Sequence, residues 1–90
     1  MPSYLVETFL ARGAAAEREA RERRARAAAE ELTREGTSVG FEHAIHVPED
    51  EVCFFVFVAP SAEVAERTAE RARLDALRVV EAVSSREETR

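Results

Sequence analysis

Apolar and polar positions recur with two different periods along this chain, and the switches between them mark its elements. Over residues 4–10 the period is two. Tyr4, Val6, Thr8 and Leu10 fall on one side and Leu5, Glu7 and Phe9 on the other, which predicts a strand broken by Arg12-Gly13. Residues 14–35 are rich in Ala, Glu and Arg, all strong helix formers. Glu17–Arg21, Glu19–Arg23 and Glu22–Arg26 have the i,i+4 spacing of helix ion pairs, and Gly36 is placed to end the helix. Residues 39–47 predict a second strand, with Val39, Phe41, His43, Ile45 and Val47 on one face and Gly40, Glu42, Ala44 and His46 on the other.

Pro48-Glu49-Asp50-Glu51 is a hairpin-like connection into the third strand, 52–59. Pro60-Ser61 stops that strand. Ser61 suits a helix N-cap, and Glu63 sits in the first turn, where the helix dipole favours an acid. The second helix is expected over 62–73, with a narrow stripe of Ala62, Ala65, Ala69 and Ala72, and a fourth strand over 77–83. The order βαββαβ, with right-handed crossovers, predicts an α+β ferredoxin-like domain over 1–83. Its four-stranded antiparallel sheet would carry both helices on one face, and residues 84–90 would form a flexible C-terminal tail.

The third strand carries the assembly argument. Val52, Phe54, Val56 and Val58 make one face apolar; Cys53, Phe55, Phe57 and Ala59 make the other apolar as well. Two helices in a chain of 90 residues cover one face of such a sheet. The bare face needs a cover from elsewhere, and a second copy of the chain is the simplest supplier. Two sheets face to face would make a dimeric α+β barrel.

Composition changes this picture in three places. The hydrophobic share is 46%, but much of it is alanine, which buries little area, so the core is thin and an oligomer is again favoured. The net charge of -5 argues against sequence-independent nucleic-acid binding. No stretch is apolar for long enough to cross a membrane, no signal peptide is visible, and the single Cys53 excludes an intramolecular disulfide framework, so a cytoplasmic protein is expected. Every basic residue is arginine, a coding bias of GC-rich genomes such as those of actinobacteria.

Few residues offer chemistry. The chain has no phosphate-binding glycine loop and no CxxC or HExxH metal pattern. What remains are polar residues inside strands: Glu7, His43, Cys53 and Glu81. If their parities point to one face, carboxylates and an imidazole line a barrel interior. Such a set suits nickel or zinc, with thiolate tightening either, or holds a general base in an apolar pocket. Each also has a structural reading. Glu7 and Glu81 would lie at a rim or pair with Arg78 or Arg12, His43 would be a hydrogen-bonded core residue, and Cys53 a small core residue. His46 with Glu49, Asp50 and Glu51 forms either a surface metal site or a solvated acidic turn. Arg21, Arg23, Arg24 and Arg26 form either an anion patch or, with the interleaved glutamates, a solvated helix face.

Tyr4-Leu5-Val6-Glu7, the run from Val47 through Pro48, Glu49, Asp50, Glu51, Val52 and Cys53 to Phe54, Ala59-Pro60-Ser61-Ala62-Glu63, and the closing Arg78-Val79-Val80-Glu81-Ala82-Val83 together resemble the small nickel-binding ferredoxin-like proteins of Streptomyces and its relatives, a domain-of-unknown-function family. The resemblance spans nearly the whole chain. It implies a dimeric α+β barrel and Ni2+ binding, with His43 matching a family histidine that follows an aromatic residue, here Phe41. Glu7, Asp50, Cys53 and Glu81 also fall on family positions. The chain departs from the pattern at Thr68, where many members carry a helix histidine, at Arg73 in place of a glycine, and near Asp75 in place of a proline.

The first functional expectation is therefore a homodimeric divalent-metal protein, nickel-binding, for sequestration or sensing, with His43 as first ligand and Glu7, Glu81, Cys53 and His46 as further candidates. Two alternatives stand beside it. One is a dimeric α+β barrel enzyme of the cofactor-independent monooxygenase or isomerase type, acting on a small apolar substrate with His43 or Glu7 as base. The other is a non-catalytic interaction module.

Overall fold

The computed structural model describes residues 1–85. The elements are β1 (Ser3–Phe9), α1 (Ala15–Arg34), β2 (Gly40–Val47), a short 3-10 turn (Pro48–Asp50), β3 (Val52–Val58), α2 (Ala62–Arg71) and β4 (Arg78–Ala82). The sheet order is β2-β3-β1-β4, with every neighbouring pair antiparallel. This is the expected ferredoxin-like arrangement, with β1 and β3 central. The residues of the expected tail from 86 onward lie outside those described.

One face of the sheet meets both helices. Tyr4, Val6 and Thr8 of β1 and Cys53, Phe55 and Phe57 of β3 are buried there. Above them α1 lays Ala25, Ala28, Ala29 and Leu32, a spacing of three, four and seven that returns to one helix face. α2 does the same with Ala65, Thr68 and Ala69, continued by its C-cap Ala72. Ala62, expected in that stripe, is exposed, and Thr68 takes a core place instead. Its hydroxyl is satisfied locally by donating to the Val64 carbonyl at 2.7 Å.

Both helix ends follow the sequence signals. Ser61 Oγ accepts from the Val64 N–H at 3.4 Å and starts α2. Gly36, at φ 101°, ends α1: its N–H donates to the Thr33 carbonyl and the Thr37 N–H to the Leu32 carbonyl, a Schellman closure. Glu17–Arg21 forms at 2.9 Å, but Glu22 pairs with Arg18 at 3.4 Å rather than with Arg26. Arg26 lies over the Phe41 ring instead, 5.2 Å from its centroid.

The alternation read along β2 needs correction. A bulge between Phe41 and His43 puts an extra residue into β2, so that Phe41 opposes Phe57 while His43 opposes Val56. Phe41, Ala44 and His46 therefore lie on the helix side. His43, Ile45 and Val47 lie on the other face, not on that of Phe41 as strict alternation required.

Candidate functional site: the open sheet face

The face that neither helix covers is built from alternate residues of all four strands. The pairings set Ile45, Phe54, Glu7 and Arg78 in one row and His43, Val56, Leu5 and Val80 in the next. Val47, Val52 and Phe9 extend it at one end, and Val58, Ser3 and Ala82 at the other. Phe9 and Ile45 are 57% and 45% exposed, large values for residues of this size, and they mark the face as uncovered in one chain.

Its polar content is small. Arg78 Nε donates to Glu7 Oε1 at 2.7 Å, with the Glu7 side chain 22% and the Arg78 side chain 67% exposed. Of the two arginines, Arg78 and Arg12, that the sequence offers as partners for the strand glutamates, Arg78 is the one that pairs with Glu7. His43 is exposed at the β2 edge of the same face and has no hydrogen-bond partner among the described residues.

The other candidates lie elsewhere. Glu81 opposes Tyr4 and so falls on the helix side of β4, where it is exposed at the sheet edge; of Glu7, His43 and Glu81, whose parities the sequence leaves open, only the first two share a face. Cys53 is wholly buried under α1. Burial pushes its thiol above the ordinary cysteine range, against the weaker opposing pull of Arg18 and Arg21. His46 is also on the helix side, directly opposite Cys53. Glu51 is turned back to accept the Arg12 N–H at 3.3 Å. Glu7 and His43 are separated by β3, two strand spacings or about 10 Å. Among the described residues no group of three or more His, Cys, Asp or Glu is placed to hold a metal ion. The five candidate donors therefore do not fit a single nickel ion within one chain.

The arginine cluster of α1 is neither an anion patch nor only a solvated face. Arg24 donates to the Ala72 and Arg73 carbonyls at 2.9 and 3.2 Å and caps the end of α2. Arg21 donates to the Phe9 carbonyl at 2.9 Å. These roles join residues distant in sequence, and no local motif announces them. Two open grooves of about 470 Å3 flank the helices, one between α2 and β4 and one between α1 and β2. Neither is lined by Glu7, His43, His46, Cys53 or Glu81.

No family model matches the chain, and no curated protein sequence matches it. Among solved structures it is similar to SCO4226 from Streptomyces coelicolor A3(2), at 24% identity and a TM-score of 0.68, covering 91% of this chain and 98% of that one. The likeness shows the ferredoxin-like fold. No helix among the described residues is long and apolar enough to cross a membrane.

Proposed function

We propose that this chain is a cytoplasmic, homodimeric α+β barrel protein that binds a divalent metal ion, nickel first, for sequestration or sensing. The carrying observation is the β2 bulge, which turns His43 out of the core and onto the uncovered face. An exposed imidazole at the margin of an apolar surface is available to an ion, where a core histidine is not. One chain presents a single free imidazole there, and Glu7 is held by Arg78. Completing a coordination sphere therefore falls to a second copy and to water.

A second copy suits the face for two reasons. The exposed Phe9 and Ile45 lose their contact with water only against another apolar surface. Its one ion pair, Glu7–Arg78, is neutral overall, and a two-fold partner presents the same pair reversed, so like charges need not meet. The apolar lining also supports a second reading, in which the same interior holds a small apolar substrate with His43 as base.

Calorimetric titration of the protein with nickel and zinc, alongside sedimentation, tests the proposal. Micromolar binding to a dimer, lost in His43→Ala with the dimer intact, is the expected result. A monomer, or binding unchanged in that variant, overturns it. A dimer that takes up neither ion moves the case to the apolar-substrate reading.

A further inference from the structure

His46 and Cys53 face each other across β2 and β3, in the layer beneath α1. Directly opposed strand residues have Cβ atoms about 5 Å apart, so the two side chains are neighbours. His46 is half-buried, yet its Nε2 is wholly buried and has no hydrogen-bond partner. Cys53 is wholly buried, is not in a disulfide, and its Sγ has no partner among the described residues. A buried imidazole nitrogen without a partner has given up water and gained nothing in return, and in native proteins such an atom calls for an explanation. The cross-strand neighbour of this side chain carries an equally unpartnered sulfur.

We propose that His46 and Cys53 form a two-donor site for a soft monovalent metal ion of the copper(I) class. Donor number and charge both select this class. Thiolate and imidazole are the donors soft ions prefer, and copper(I) is content with two, whereas zinc takes four. On binding, the Cys53 S–H bond breaks and an S–Cu bond forms. The proton leaves to solvent, the His46 Nε2 lone pair fills the second position, and nothing is oxidised. One positive charge replaces another, so the buried thiolate–metal pair is neutral. A divalent ion at the same place would leave a net positive charge in the core. The charged groups around Cys53 supply no spare anion to offset it: Glu22 is paired with Arg18, and Arg21 with Glu17. Entry is from the free edge of β2, where His46 keeps its partial exposure.

This site is independent of His43, which lies on the opposite face of the sheet. Anaerobic titration of the full chain with copper(I), in competition with the chromophoric chelator bicinchoninate, tests it. Equimolar uptake is expected, abolished in Cys53→Ser, weakened by at least ~10-fold in His46→Phe, and unchanged in His43→Ala. Copper K-edge absorption on the native protein needs no variant and should show one sulfur and one nitrogen donor. Absence of uptake, uptake unchanged in His46→Phe, or a copper shell without sulfur overturns the proposal.

Discussion

Arg78 holds Glu7 at 2.7 Å across β4 and β1, on the one face of the sheet that no helix covers. The pair is the only charge contact among the described residues of that face, and it sits beside Phe54 towards the β4 edge rather than in the core. In a single chain Arg78 is mostly exposed, so its loss should cost little. Arg78→Ala is expected to lower stability by about 0–1 kcal/mol in denaturant unfolding at low concentration. Under a second sheet the same change leaves Glu7 unpaired, so sedimentation should show the proposed dimer weakened in the same variant.

Phe54 and Phe55 are sequence neighbours with opposite duties. Phe55 is wholly buried against the helices, beside Phe41 at 6.2 Å between ring centroids. Phe55→Ala should lose about 3–5 kcal/mol of stability. Phe54 belongs to the open face, so Phe54→Glu should leave a folded monomer. Circular dichroism and sedimentation on the two variants check this. A Phe54→Glu variant that stays dimeric would show that this face is not the interface.

Burial raises the Cys53 thiol above its ordinary value of 9.0. The sign follows from the neutral form being favoured in the folded state. The contribution to stability is complete below pH 9.0 and is lost as pH rises from there through the folded value. Native protein should therefore resist alkylation at neutral pH, while denatured protein reacts. Above pH 9.0 its stability should fall faster than that of Cys53→Ala, as measured by urea midpoints across an alkaline series.

At the helix ends, Arg71 donates to both carboxylate oxygens of Glu35, at 2.7 and 3.2 Å. That hydrogen bond holds the Glu35 carboxyl below its ordinary 4.5. The stabilisation is present above pH 4.5 and is lost as pH falls through the lower folded value. Both groups lie at the surface, so the effect is small and salt-sensitive. Acid unfolding of the native chain and of Glu35→Gln should differ in this window and converge in high salt.

Gly36 closes α1 in the left-handed region, where a side chain is strained although nothing crowds the site. Gly36→Ala should cost about 1 kcal/mol, read from the thermal midpoint.

Much of this was legible in the chain. The period of two over Tyr4–Leu10 and the doubly apolar β3 place the core face and the open face correctly, because strand parity is strict where no residue is added. The pairing of Glu7 with an arginine follows from the cost of leaving a carboxylate among Leu5, Phe9 and Phe54. The bulge was not legible. It falls at Glu42, between Phe41 and His43, with no glycine or proline to mark it, and that single residue reverses His43, Ile45 and Val47. The face of Glu81 is not legible for a different reason: it is fixed by the pairing with Tyr4, a long-range choice that the alternation of β4 alone does not contain. The role of Arg24 is not legible either, because its acceptors are the carbonyls of Ala72 and Arg73, just past the end of α2 and far away in sequence.

The extra residue of β2 also bears on how the length of this chain can change. Because Phe41 already opposes Phe57 and His43 already opposes Val56, Glu42 takes no place of its own in the pairing. A one-codon deletion at Glu42 would leave every other side chain of the strand facing as it does now. The same deletion at Ala44 or Ile45 would turn part of the strand inside out. Position 42 is thus a point where the gene can shorten by three bases and the protein keep both of its surfaces.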